Sequence, residues 1–505
     1  MTELISASSD NKTEHLNEQL VRTNRVIFEQ EALLTNWGIT CFSGSGEEKD
    51  VRLAEMLFTY SLLSNPKKPP VITLIHNSGR GQAGDFIDSV SEGLVEDKEQ
   101  IRAHKVMRND INSAINPFDT YLGFRKPTGL QAYTASLFLK NIFSFHNDDL
   151  SLADQPYQAI ADDLIKKVYE MTTSEQPAIP KYYQKGYHKA LDEVVVQHNI
   201  KTDDAILAAK LRDILHLKGA ECTGDEQREL WLARDHAHKQ AMPVLDDLLS
   251  VIEACEAQDG FIAQELATDP LVQHIKGYIK NTIVHYPCFS SPTKFDVEQV
   301  SVVAIDLKDV IKPDDAYNNA LFFQVAHKVA VDKVFLTEYD VAVGDIDGVY
   351  ADLHYKRMRR LHEGYKVIAV DGIDLAEHAM MLSSTAREQR KRGVRYILSV
   401  ECLAELMNAD LSNSYSALAY ATRLFLFSKP TEDEVTFFNR AFDRKIMTQD
   451  DLQKIDSKHY LYHAVPQSGQ RGNFIELALC EKKTMNQKES LLLKRQFEDR
   501  GLIMS

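Results

Sequence analysis

The sequence predicts an α/β protein: a mostly parallel sheet, helices on both faces, and a large all-α insertion. Three observations lead there. First, short apolar runs rich in β-branched residues recur, each separated from the next by helical sequence: Val71-Ile-Thr-Leu-Ile75, Ser301-Val-Val-Ala-Ile-Asp306, Lys366-Val-Ile-Ala-Val-Asp371, Val394-Arg-Tyr-Ile-Leu-Ser399 and Arg423-Leu-Phe-Leu-Phe427. Unbroken apolar strands of this kind belong to parallel sheets buried on both sides. Second, from Thr128 to about Ile283 the strand signals stop and only helical spacing remains. Third, 505 residues exceed what one compact core accommodates, at roughly 100–200 residues per domain. The expected division is a flexible terminus over 1–18, the first part of the core over 19–127, an all-α insertion or lid over 128–283, the second part of the core over 284–482, and a C-terminal helix over 483–505.

The elements follow in order. A helix over about Leu20 to Leu34 precedes the run Trp37-Gly-Ile-Thr-Cys-Phe42, a Gly-Ser-Gly turn, and a helical stretch from Val51 to Leu63, which reads as strand, loop, helix. Val71 to Ile75 and the helical stretch Ala83 to Leu94 form a second such unit. The insertion reads as helices over Gln131–Phe145, Leu150–Met171, Tyr183–His198, Thr202–Leu217, Glu226–His238 and Met242–Ala254. Near the end, Lys458 to His463 and Asn473 to Leu479 flank a Gly-rich turn and predict a β-hairpin at the sheet edge. Thr431 with Glu434 three residues on predicts a capping box at a helix start.

Composition excludes several classes. A hydrophobic content of 44% with 26% charged residues is that of a globular chain. The net charge of −16 opposes a protein that tracks nucleic acid, because phosphate neutralisation supplies most of the nonspecific affinity. Met1 to Leu16 carry no apolar segment of the signal-peptide kind, and no run reaches the eighteen or so apolar residues of a membrane span. The expected location is cytoplasmic, at most peripheral at the inner membrane. The six cysteines are scattered without a C-x-x-C pair, so they read as reduced thiols. His236 and His238 are two apart on a helix and do not share a face, which reads as surface or inter-helix histidines, and no metal site is expected.

The stretch Ile39-Thr-Cys-Phe-Ser-Gly-Ser-Gly-Glu-Glu-Lys-Asp50 stands where a phosphate-binding loop would stand, between strand and helix. Such a loop reads G-x-x-x-x-G-K-[ST], with Lys to reach the β/γ-phosphates and a hydroxyl for Mg²⁺. Here Gly44 and Gly46 remain, Glu47 and Glu48 follow, the first Lys is Lys49, and Asp50 replaces the hydroxyl residue. The glycines also have a plain use, since a tight strand-to-helix turn needs positive φ.

The segment Ile115-Asn-Pro-Phe-Asp-Thr-Tyr-Leu-Gly-Phe-Arg-Lys-Pro-Thr128 carries a wider resemblance. It is followed in order by Tyr286-Pro287, Pro292-Thr-Lys-Phe-Asp296, Val302 to Leu307, Val367 to Asp371 and Arg387-Glu-Gln-Arg-Lys-Arg-Gly-Val394. Together these resemble the ATPase half of the type IVB secretion and conjugation ATPases, the IcmB/TraU kind of the TraC-like group, over about residues 30 to 480. The resemblance implies a RecA-like P-loop NTPase core, nucleotide at a subunit interface, a ring of subunits, and a role at a secretion or conjugation channel. Members usually carry a large region ahead of the ATPase part, which here starts close to Met1.

Against that pattern, Asp371 supplies the strand-end Asp of the Mg²⁺ shell, but Gly372 holds the place of the water-activating Glu. Asp374 is a displaced substitute. His76 stands where the family tends to keep an acidic residue, and Glu401 where it has a polar sensor amide. The residual nucleotide site is therefore Gly44, Gly46, Lys49 and Asp50 with Asp371, and no catalytic residue is assigned beyond it. No cofactor is expected, with ATP and Mg²⁺ kept as the alternative. Arg387, Arg390 and Arg392, with Lys391 and Arg395, admit three readings: a solvated helix face, a subunit interface, or a nucleic-acid patch. Asn116, Pro117, Phe118 and Asp119 read as a structural turn. Three functions follow: a hydrolysis-deficient homologue serving as a structural or regulatory subunit beside apparatus proteins or an active ATPase paralogue, in a homo- or hetero-oligomer; an unconventional active ATPase; or a plain α/β domain that shares only ancestry.

Overall fold

The structure, a computed structural model, describes residues 38–43, 53, 57, 70–77, 102–144, 157–202, 206–257, 269–295, 297, 300–312, 314–362, 365–371, 392–401, 423–426, 431–441, 448, 460–464 and 473–476. Its strands are β1 (Gly38–Ser43), β2 (Val71–His76), β3 (Arg102–Val106), β4 (Val302–Asp306), β5 (Lys366–Asp371), β6 (Arg395–Val400), β7 (Arg423–Leu426), β8 (Tyr460–Ala464) and β9 (Asn473–Glu476). They form one sheet in the order β3-β4-β2-β5-β6-β1-β7-β8-β9. Every pairing from β3 to β7 is parallel, and β8 and β9 close the sheet as an antiparallel hairpin. The chain is thus the predicted α/β protein with a mostly parallel sheet.

Why the sheet is covered on both sides is visible in the burial of its strands. β4, β5 and β6 are buried at every position. Alternate residues of a strand point to opposite faces, so both faces are shielded from water. One face carries Ile75, Val303, Ile305, Ile368, Val370, Tyr396 and Leu398, which join the principal hydrophobic core. A long helix after β4, Ala316–Val334, packs on this face over β2 and β5, and its His327 Nε2 lies 3.1 Å from the Tyr396 hydroxyl of β6. The other face carries Ile72, Leu74, Val302, Ala304, Val367, Ala369 and Ile397, all buried.

Between β3 and β4 the described elements are helical: α1 (Gly129–Ser144), α2 (Tyr157–Thr172), α3 (Lys189–Gln197), α4 (Ala208–Glu221), α5 (Gly224–Ala241), α6 (Leu245–Ala257) and α7 (Asp269–His285). The Ala316–Val334 helix is α8, and α9 (Glu338–Val343), α10 (Gly348–His362) and α11 (Glu432–Ala441) follow. The helical region holds two packing units. Residues of α1, α2, α6 and α7 share the principal core with the sheet, whereas Leu191, Val194, Leu211, Leu215, Leu230 and Ala233 of α3, α4 and α5 form a separate cluster.

Two local expectations are corrected. The helix expected from Tyr183 begins at Lys189, because Gly186 turns the chain at φ +86° and the Tyr183 N–H is taken by the Ile206 carbonyl across an antiparallel bridge. His236 and His238 are not surface residues. His236 is buried against the His188 ring at a 3.4 Å centroid distance, and His238 sits between Thr120 and Arg212, so the inter-helix alternative is the one observed. The capping box forms: Thr431 Oγ1 accepts from the Glu434 N–H, and the Glu434 carboxylate accepts from the Thr431 N–H at 2.7 Å. Among the described residues Cys222, Cys255 and Cys288 are free thiols.

At the N-terminal end of β5, the Lys366 ammonium donates to the Arg392 carbonyl and is buried beneath it. Burial, with help from the Arg392 charge, lowers its pKa to about 8. The folded state then releases this proton before the unfolded state does, so stability rises as pH goes from about 8 to the ordinary lysine value near 10.4. Denaturant titrations across that window should show a slope totalling on the order of 3 kcal/mol that is absent from Lys366→Met.

Candidate functional site at the C-terminal ends of the strands

In an open parallel sheet, ligands meet the carboxyl ends of the strands, where the connecting loops leave. β1, the strand that leads into the glycine loop, lies inside the sheet between β6 and β7. It ends at Ser43, opposite Val400 and Leu426. Gly44, Gly46, Lys49 and Asp50, and with them Glu47 and Glu48, lie outside the described residues. Leu53 and Leu57 just beyond are helical and buried, one turn apart, in keeping with a strand, loop and helix.

Asp371 ends β5, one strand removed from β1, with β6 between them. It is buried and stands in register with Ser399 on one side and His76 on the other. Glu401, exposed, follows the end of β6. Gly372 and Asp374 lie outside the described residues. The side chains at the described ends of β1, β5 and β6 include no lysine or arginine, and the cations of these strands, Lys366 and Arg395, sit at the opposite edge. A nucleotide polyphosphate with Mg²⁺ needs cationic or N–H donors there. Asp371 suits Mg²⁺, and the loop that would bring Lys49 and backbone N–H donors to a phosphate lies outside the described residues.

Starting on the very next strand, the same edge holds a second cluster. In register, His76 of β2 neighbours Asp306 of β4 and Asp371 of β5. His104 of β3, two residues before the partner of Asp306, projects to the same face. His76 Nδ1 lies 4.0 Å from Asp306 Oδ1, and His104 Nε2 lies 3.6 Å from Asp306 Oδ2. The two rings are 5.7 Å apart. Burial lowers the His76 pKa to about 4, against the pull of Asp306 and with a smaller push from His104, so the imidazole is neutral at physiological pH. Sequence reading placed His76 and missed His104. Polar His104 and Lys105 break the apolar run of β3, which carries the charged residues suited to an edge strand.

The segment from Asn116 to Thr128 lies away from this edge and joins the helical region to the sheet. Asn116 is fully buried: its amide donates to the Pro243 carbonyl at 2.8 Å and to Asp119 at 3.0 Å, and its side-chain oxygen accepts from the Phe118 N–H. Its own N–H donates to Thr293 Oγ1 at 2.7 Å. The Tyr169 hydroxyl of α2 donates to the Phe118 carbonyl, and Lys328 of α8 donates to the Asp119 carbonyl. Arg125 bridges Asp347 and Glu175, and the second Asp347 oxygen accepts from Arg212 of α4. Those polar groups are committed to architecture.

Of the basic cluster, Arg392 is half-buried, donating to the Phe335 carbonyl and to Asp340 with its guanidinium 5.6 Å from the Phe335 ring. Arg395 packs over the Tyr365 ring at 5.7 Å. Arg387, Arg390 and Lys391 lie outside the described residues.

Sheet order and strand pairing define the class as an α/β core built on a mostly parallel sheet. No protein-family model matches the chain, and no curated protein does. Among solved structures, VirB4 of Thermoanaerobacter pseudethanolicus is similar at 11% identity and a TM-score of 0.47, covering 88% of this chain and 89% of that one. The bacterial conjugative coupling protein TrwBΔN70, unbound, is similar at 8% identity and a TM-score of 0.35, covering 85% and 87%.

Proposed function

We propose that this chain is a hydrolysis-deficient, ATPase-like subunit of a type IV secretion or conjugation apparatus, of the IcmB/TraU kind, retained for its shape and its contacts. The observation that carries the reading is the row of strand ends: Asp371 and Glu401 stand at an edge whose described ends offer no cation for a polyphosphate. In the sequence, Glu47 and Glu48 come where the phosphate lysine belongs, and Gly372 comes where the water-activating Glu belongs. The ordered motifs from Asn116 to Val394 support the apparatus. Its partners are apparatus proteins or an active ATPase paralogue within an oligomer, at the cytoplasmic side of the inner membrane. Among the described residues no helix is long and apolar enough to cross a membrane.

The test is isothermal titration of the full chain with ATP and Mg²⁺ beside a hydrolysis assay on the same preparation. The expected result is no turnover, with nucleotide binding absent or weaker than millimolar. Turnover abolished by Lys49→Ala or Asp371→Ala would instead establish an unconventional active ATPase, the reading that the placement of Asp371 favours. A pull-down that recovers no secretion or conjugation component would remove the apparatus from the proposal.

A further inference from the structure

The ends of β2, β3 and β4 bring two imidazoles and one carboxylate together from three separate stretches of chain. One candidate ligand atom from each of His76, His104 and Asp306 lies within 4.8 Å of the others. We propose that these three side chains bind a single divalent transition-metal ion of the zinc class, at a site distinct from the glycine-loop position and independent of whether the chain binds nucleotide.

Four observations carry the proposal. The first is distance. Separations of 3.6 Å and 4.0 Å from the two imidazoles to the Asp306 oxygens exceed hydrogen-bond length. They approach the spacing of ligands around a common ion: with metal–ligand bonds of about 2.0–2.2 Å, tetrahedral neighbours stand about 3.4 Å apart. With all three candidate atoms within 4.8 Å of one another, side-chain shifts of up to about an ångström would close the set. The second is charge. Asp306 is buried, and among the described residues no lysine or arginine lies within ion-pair distance of it. A buried carboxylate requires a counter-charge, which a divalent cation supplies.

Third, the outer partner is in place. Asp306 Oδ1 accepts from the Lys308 N–H at 2.9 Å, which orients the carboxylate and leaves Oδ2 toward His104. His104 Nε2 is itself buried and makes no hydrogen bond among the described residues. Fourth, the donor set selects the metal. Two imidazoles with one carboxylate suit Zn²⁺ and its first-row neighbours, whereas Mg²⁺ and Ca²⁺ prefer all-oxygen ligands. Three protein ligands leave a fourth position for water. The ion would clip edge strand β3 to β2 across β4, where β3 pairs with one strand among the described residues.

The test uses the full chain, freed of metal by chelator and titrated separately with Zn²⁺, Co²⁺ and Mg²⁺. Calorimetry should give one Zn²⁺ per chain and no comparable Mg²⁺ binding. Affinity should fall by about 100-fold in His104→Ala and in Asp306→Asn, at or above what loss of a supporting group costs. Circular dichroism checks that the variants fold, and replacement of the partly exposed edge residue His104 is the milder change. The Co²⁺ form of the unaltered protein gives an answer that needs no variant: visible d–d bands of a four-coordinate nitrogen and oxygen site without thiolate charge transfer. Weak multi-site binding, thiolate charge transfer, or unchanged affinity in a folded His104→Ala would each overturn the proposal.

Discussion

Gly123→Ala is expected to destabilise the protein by about 2–5 kcal/mol, seen as a lower denaturation midpoint with wild-type helix content in the surviving folded fraction. Two costs add at this position. Gly123 sits at φ +81°, a left-handed conformation that disfavours any Cβ. A Cβ built there would also lie 2.4 Å from Cγ and Cδ2 of Tyr350, well inside van der Waals contact. The ring cannot step aside. It is fully buried, its hydroxyl donates to Asp213 at 2.8 Å, and the Arg212 guanidinium lies over it at 5.0 Å. Moving Tyr350 would disturb the Arg212–Asp347–Arg125 bridge between the helical region and the segment that follows α9. Gly123→Ala combined with Tyr350→Gly, measured against Tyr350→Gly alone, separates the two terms, since it also removes the Tyr350 Cβ that would lie 2.7 Å away and keeps the backbone strain.

Asn116→Ala should cost about 2–4 kcal/mol, because it leaves buried groups without partners. The Pro243 carbonyl, the Phe118 N–H and one Asp119 oxygen each lose a hydrogen bond at once. Asn116→Asp is expected to be worse although it is nearly isosteric. The new carboxylate could not donate to Pro243 and would stand about 3 Å from Asp119, where two like charges are unfavourable. Urea denaturation of the two variants at neutral pH gives the ranking. Repeating it near pH 4 should narrow the difference, because protonation of one carboxylate of the new pair restores a donor. An Asn116→Asp protein as stable as wild type would mean that the turn is held by Pro117 and its neighbours alone.

Much of the frame could be read without coordinates. Val302 to Ile305 and Val367 to Val370 announce buried parallel strands because a strand covered on both faces has no polar side to show, and that property is local. The hairpin of β8 and β9 and the capping box at Thr431 are equally local. β3 escaped notice for the converse reason: as an edge strand its run is interrupted by His104 and Lys105. The start of α3 was misplaced because Tyr183 takes its backbone partner from Ile206, beyond the next helix.

The chain's own order of residues therefore determined the class of fold, the glutamates rather than a lysine after Gly46, and the Asp at the end of β5, since each depends on neighbours a few positions away. Only the tertiary structure decided that His76, His104 and Asp306 meet, that Asn116 is tied to Pro243, that Gly123 makes room for Tyr350, and that Arg392 is spent on Phe335 and Asp340. Strand order sets these meetings. It is fixed by the burial of both sheet faces together, a long-range condition that no window of sequence contains.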